Sequence, residues 1–146
     1  MNLANLEGAK LEGANLTKIN LSEPHGASLI FANLTNANLT GAKLSCSILH
    51  GANLTGANLT NAKLFFADLT FAVLTKAILD AADLTNADLT NANLEGAHLE
   101  GANLNVANLT KANLTGAKLL TSYLFSAAFS SVNLTGATMP DGTIHK

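Results

Sequence analysis

From Leu29 to Met139 a large apolar residue recurs at every fifth position, through Leu34, Leu39 and Leu44 to Leu124, Phe129 and Leu134. Four earlier centres, Leu6, Leu11, Leu16 and Leu21, keep the spacing in a shifted phase, so 27 five-residue units fill the chain. Leucine occupies 25 of the 27 centres, and alanine stands two residues before the centre in 23, replaced by Ile19, Ser47, Ser122 and Val132 elsewhere. Asn or Asp precedes the centre in 15 units and Thr follows it in 12, and the next position is often Gly or Asn, as at Gly51, Gly56 and Asn61. A period this strict decides between backbone paths.

In an α-helix five residues advance the side chain by about 140°, which would scatter the leucines around the whole circumference. In a straight strand an odd period would put successive leucines on opposite faces. The pattern works if each unit is a short extended piece followed by a bend. Alanine and leucine, two apart, then share an inward face, and the bend restores that face in every unit. The residues flanking the leucine point to solvent, and the position two after it forms the corner, where Gly and Asn tolerate unusual backbone angles. The chain therefore winds into a coil around stacked Leu and Ala, and successive coils pair as parallel strands. This is a β-solenoid.

Units such as Ala52-Asn53-Leu54-Thr55-Gly56 and Ala87-Asp88-Leu89-Thr90-Asn91 resemble the A(D/N)LXX signature of the pentapeptide-repeat family, and the resemblance covers nearly the whole chain. It implies an all-β fold, a right-handed quadrilateral parallel β-helix with four units per coil. On that count the chain makes just under seven coils, a rod of roughly 32 Å. The segment Met139-Pro140-Asp141-Gly142-Thr143-Ile144-His145 is similar to the tail of small cyanobacterial members.

One break interrupts the register. Leu21 and Leu29 are eight apart, which places three extra residues around Ser22-Glu23-Pro24-His25-Gly26. Pro24 lacks a backbone donor and Gly26 bends freely, so the insertion reads as an outward bulge at a corner. It follows four complete units, and the square continues past it. The expected organisation over 1–146 is a single domain: a first coil over 4–23, the bulge over 22–28, the remaining coils over 27–141 and a tail over 142–146.

Composition removes several functions. Only 12% of the 146 residues are charged, the formal net charge is −2, and all eight basic residues are lysine. Without arginine the case for direct nucleic-acid binding is weak, and no apolar run approaches the roughly 20 residues of a membrane span. The start, Met1-Asn2-Leu3-Ala4-Asn5, has neither the basic residues nor the apolar stretch of an export signal. Cys46 is the lone cysteine and cannot form an internal disulfide. The nine Asn-Leu-Thr/Ser sequons follow from the repeat, and sugar on them would burden the rod. A bacterial cytoplasm is the expected compartment; a removed targeting segment would make it the periplasm or a thylakoid lumen.

Chemistry is sparse. A shaft packed with Leu and Ala leaves no concave pocket for catalysis. Gly51 and Gly56 superficially resemble a phosphate loop, but Ala57 and Asn58 stand where Lys and Ser/Thr are needed. His25, His50, His98 and His145 are dispersed without metal-ligand spacing, and Cys46 reads as a semi-buried corner residue. No catalytic residue, metal site or cofactor is expected.

Six of the ten acids, Asp68, Asp80, Asp83, Asp88, Glu95 and Glu100, lie in the middle third. The resemblance brings in one specific activity here, because family members that inhibit type II topoisomerases imitate DNA with a negative rod. Mimicry needs charge in lines, since DNA carries one charge per roughly 1.7 Å. Counting centres by fours places Asp68 and Asp88 in one column, Asp80 and Glu100 in a second, and Asp83 and Glu95 on the other two sides. Outward apolar residues say more. By the same count Ile30, Phe31, Ile48 and Phe71 fall on one face, with Phe65 and Phe66 on the side next to it. They form a candidate patch for an unidentified protein partner. Tyr123, Phe125 and Leu120 make a smaller group. The rod ends and the patch are also the places for a homodimer. The expected function is a rigid, non-enzymatic interaction scaffold, with a DNA-mimicking modulator of gyrase as the alternative.

Overall fold

The computed structural model describes residues 4–22 and 25–146. Its backbone is built from isolated parallel bridges, each separated from the next by a turn, and it contains no helix among the described residues. The bridges join into four ladders, which are the four faces of the rod. Face 1 stacks Asn5, Ser28, Ile48, Asp68, Asp88, Asn108 and Ala128, and face 2 stacks Lys10, Asn33, Asn53, Val73, Asn93, Asn113 and Asn133. Face 3 runs from Asn15 through Asn38, Asn58, Ile78, His98 and Lys118 to Thr138, and face 4 from Asn20 through Lys43, Lys63, Asp83 and Asn103 to Tyr123. The fold is the right-handed quadrilateral β-helix.

The same bonding recurs at every level. Around Leu54, its amide donates to Val73 O in the next coil at 2.7 Å, Val73 N donates back to Ala52 O at 2.9 Å, and Gly56 N donates to Thr75 O at 2.9 Å. Within the unit, Ala57 N donates to Leu54 O at 3.0 Å and closes a four-residue turn. The third residue of such a turn needs positive φ. Every described corner from Gly8 to Gly136 has it, with φ between 54° and 70°. Glycine and asparagine are not the only residues there. Phe31, Cys46, Phe66, Phe71, Val106 and Thr121 adopt the same left-handed conformation, an unfavourable one for side chains with a Cβ. Here the ladders impose it, because each corner must turn in register with the corner beside it.

The flanking polar residues do more than face water. Asn53 Oδ1 accepts from both the amide of Thr55, at 3.1 Å, and its hydroxyl, at 2.7 Å, and Asp88 makes the same pair of bonds with Thr90. The Asn-Leu-Thr triplet is thus a local staple, in which the acceptor before the leucine holds the residue that begins the turn.

Inside, the central leucines from Leu29 to Leu119 and the alanines two before them, from Ala27 to Ala117, are fully buried, with Ala137 alone so beyond them. The exceptions mark the ends: Leu6, Leu11, Leu16, Ile19 and Leu21 at one, and Leu124, Phe129, Val132, Leu134 and Met139 at the other, are only partly covered. At the carboxyl end the chain reverses. Ile144 bridges Thr138 antiparallel, His145 N donates to Ala137 O at 2.9 Å, and Gly136 N donates to His145 O at 2.8 Å. This return strand covers the last edge of face 3.

The register break shows in the first rung of each face: Asn5–Ser28, Lys10–Asn33, Asn15–Asn38 and Asn20–Lys43 pair residues twenty-three apart, while the later parallel rungs pair residues twenty apart. Glu23 and Pro24 lie outside the described residues. Gly26 does not bend freely, contrary to the expectation from its lack of a side chain. It is buried with φ 84°, and a Cβ there would overlap the Cys46 carbonyl and stand 2.7 Å from Ser47 N. Ser47 replaces the usual core alanine just where the hydroxyl has partners. It accepts from Ala27 N and donates to Leu21 O, both at 3.3 Å, tying the two sides of the insertion together.

Candidate interaction surface

Turns place the apolar surface residues. Phe31, Gly51 and Phe71 succeed one another at the corner between faces 1 and 2, and Cys46 and Phe66 at the corner between faces 4 and 1. Ile48 is a rung of face 1, Ile30 stands two residues beyond the Ser28 rung, and Phe65 stands two beyond the Lys63 rung of face 4. The six residues singled out from the sequence thus surround face 1 and reach onto face 4. Phe31, Phe66 and Phe71 are 63%, 54% and 57% exposed and Phe65 39%, whereas Ile30 and Ile48 are half-buried. Tyr123 and Phe125 lie farther along face 4, at 61% and 77% exposure, with Leu120 on face 3 and half-buried.

One member of this cluster escaped the sequence reading. His50 sits between Phe31 and Phe71, edge-on to both, with ring centroids 5.6 Å and 5.5 Å apart. Such contacts suit the positive edge and negative face of aromatic rings. Its Nδ1 lies 2.7 Å from Thr70 Oγ1. The Thr70 hydroxyl donates to Asp68 Oδ1 at 2.6 Å, so its remaining role toward His50 is to accept. His50 therefore donates from Nδ1 to the Thr70 hydroxyl. Column arithmetic contains the signal, since positions 30, 50 and 70 share one column and 31, 51 and 71 the next. Phe65 and Phe66 form a second edge-on pair, 4.5 Å between centroids with planes at 83°.

Several of the middle-third aspartates are occupied by the rod's own backbone and threonines. Asp68, Asp83 and Asp88 each accept from the amide and hydroxyl of the threonine two residues on, and Asp80 accepts from Glu100 N at 3.0 Å. Their columns fall on separate faces, as the count by fours predicts. The Asp141 carboxyl is held below its ordinary range by the Thr143 hydroxyl and, next, its amide. Cys46 is exposed rather than semi-buried, because its corner turns it outward. Among the described residues no pocket forms and no three His, Cys, Asp or Glu side chains converge to hold a metal.

A rod with a filled shaft wound from stacked five-residue units belongs to the solenoid repeat proteins. Comparison with known sequences and structures narrows the class. Eight copies of the pentapeptide-repeat sequence model match residues 1–23, 25–61, 67–105, 87–119 and 102–139. The chain belongs to the pentapeptide-repeat family. It is 34% identical to HetL, a pentapeptide repeat protein involved in heterocyst differentiation regulation in the cyanobacterium Nostoc sp. strain PCC 7120, over 99% of this chain and 78% of that one, with a TM-score of 0.49. A pentapeptide repeat protein of the Arabidopsis thaliana thylakoid lumen is 32% identical, over 78% of this chain and 66% of that one, with a TM-score of 0.55. QnrB1, a plasmid-mediated fluoroquinolone resistance protein, is 19% identical over 88% of this chain and 76% of that one at a TM-score of 0.54, a likeness of fold alone. No curated protein matches the chain. No helix among the described residues is long and apolar enough to cross a membrane.

Proposed function

We propose that the chain is a rigid, non-enzymatic protein-interaction module, working in a bacterial cytoplasm, whose partner docks on the surface formed by Ile30, Phe31, Ile48, Phe65, Phe66 and Phe71. The observation that carries this reading is the cluster of exposed phenylalanines on a rod whose outer columns are otherwise mostly Asn, Thr and Gly. Contiguous apolar surface is costly in water and marks contact sites, and aromatic residues supply much of the energy of protein interfaces. A rigid backbone adds to this, because ordering costs on binding fall on the partner. Mimicry of DNA is the weaker alternative: the acids occupy four faces, and the aspartates before threonines are hydrogen-bonded within their own turns.

The test is capture from the source organism's lysate. Wild-type protein retains a partner, and the Phe66→Ser/Phe71→Ser variant loses it while keeping the circular dichroism of the folded rod. Unchanged capture by the variant counts against this surface. Inhibition of DNA supercoiling at near-stoichiometric levels would instead support the gyrase modulator.

A further inference from the structure

Face 4 carries an electrostatic feature that the fold does not use. Lys43 and Lys63 are consecutive rungs of its ladder, and both are exposed. Neighbouring strands lie about 4.8 Å apart, so the two ammonium-bearing side chains rise from adjacent positions. Like charges so placed oppose folding. The rung before them is Asn20, and Lys18 is exposed at the corner that opens this face. Asp83 is the rung next to Lys63, its Oδ1 accepting from the amide and hydroxyl of Thr85, so Lys43, between Asn20 and Lys63, is the lysine with no carboxylate in either neighbouring rung.

Phe65 belongs to the same unit as Lys63, two residues on, and therefore leaves the rod from the same face. Phe66 follows at the corner, packed edge-on to Phe65. Cations and aromatic surface are contiguous here. Resting on the interaction reading above, we propose that this part of the surface receives an acidic peptide segment of the partner protein. A large apolar side chain of that segment seats on Phe65 and Phe66, and its carboxylates meet Lys43 and Lys63.

Charge complementarity selects this occupant, since a carboxylate relieves the lysine–lysine repulsion that the free rod bears. The apolar contact is required as well, because exposed ion pairs each add little affinity. The lysines chiefly steer and orient the approach, which makes binding sensitive to salt. A nucleic acid is disfavoured because the chain has no arginine and the adjoining surface carries phenylalanine rather than further cations.

Cys46 provides a reporter in the intact chain. It is exposed, is the lone cysteine, and stands one coil from Phe66 at the same corner, with its amide donating to Phe65 O at 2.9 Å. The probes are a synthetic peptide bearing glutamates and phenylalanine, the same peptide with lysine for glutamate, the same with alanine for phenylalanine, and a short single-stranded DNA. The acidic aromatic peptide should slow modification of Cys46 by a thiol reagent and shift amide resonances around residues 43–46 and 63–66. Its affinity should fall about tenfold in high salt and disappear in the Lys43→Glu/Lys63→Glu variant, and the other probes should do neither.

Equal protection by the DNA would overturn the peptide in favour of a general polyanion site. Protection that rises with protein concentration alone would overturn it in favour of a second copy of the chain. Failure of the acidic peptide to protect Cys46, or undiminished binding to the lysine variant, refutes the proposal. If the lysine variant still captures the lysate partner and Phe66→Ser/Phe71→Ser does not, the acidic segment is refuted while the interaction reading stands.

Discussion

The ring of Phe31 occupies the space that a Cβ on Gly51 would need. The two residues are consecutive corners of one column, and the larger leans over the smaller. Asn36 leans over Gly56 in the same way at the next corner column. Gly51 also has φ 62°, so it meets two demands at once, a left-handed turn and a seat for an aromatic ring. Gly51→Ala should destabilise the rod by about 1–2 kcal/mol through strain at positive φ and displacement of the ring. Phe31→Ala in the same chain should recover part of that loss. Urea unfolding of the two single variants and the double variant measures the coupling, and strict additivity would show that the ring does not need the glycine.

The two buried serines should respond oppositely to alanine. Ser47 Oγ has a donor and an acceptor across the register break, whereas Ser122 Oγ is buried without a protein partner. Ser47→Ala should cost about 1–2 kcal/mol by leaving the Ala27 amide and Leu21 carbonyl without it. Ser122→Ala removes a hydroxyl that gains nothing from burial, so it should be neutral or stabilising by up to about 1 kcal/mol. Chemical denaturation of both variants distinguishes the roles. A loss at Ser122 equal to that at Ser47 would refute the contrast.

Core truncation should depend on position along the rod. Leu74 is completely buried, and Leu11 is only partly covered in the first coil. Leu74→Ala should cost about 3–5 kcal/mol, the range for a cavity in a tightly packed interior. Leu11→Ala should cost under about 2 kcal/mol, because less apolar surface is withdrawn from water there. Unfolding midpoints give the comparison, and amide exchange should show the first coil opening separately.

Acid should release the carboxyl-terminal return strand. The Asp141 carboxyl accepts from the Thr143 hydroxyl at 2.7 Å and its amide at 2.9 Å, which favours the charged form and lowers its pKa. A carboxylate with a lowered folded-state pKa contributes its stabilisation fully above the unfolded value, and loses it as pH falls through the folded one. The Thr143 amide and the strand pairing at Ile144 should therefore hold at neutral pH and weaken below the ordinary aspartate range. Amide exchange across that acid range measures it. Asp141→Asn should flatten the dependence, and an unchanged profile in that variant would assign the effect to another group.

The inward residues were legible because burial has a period. Leucine every fifth residue with alanine two before it admits one kind of path, and the described corners from Gly8 to Gly136 all turn as that path requires. The patch was legible as positions, since four-fold counting correctly grouped Phe31 with Phe71 and Phe65 with Phe66. His50 was missed because it was weighed as a lone histidine rather than by its column, and its ring partners Phe31 and Phe71 stand nineteen residues before it and twenty-one after. Gly26 was misread for a related reason: its constraint comes from the Cys46 backbone, which the linear order places far away.

By itself, the order of residues determined the five-residue bend, the apolar shaft and the membership of each outer column, because all three follow from repetition along the chain. Tertiary structure alone decided what each column's neighbours do to one another. It seated Phe31 on Gly51, joined His50 to Thr70, knitted the insertion through Ser47, and folded the tail back onto Thr138. Those outcomes depend on distances between coils, and contact across coils is set by side-chain volume and hydrogen-bond geometry rather than by period.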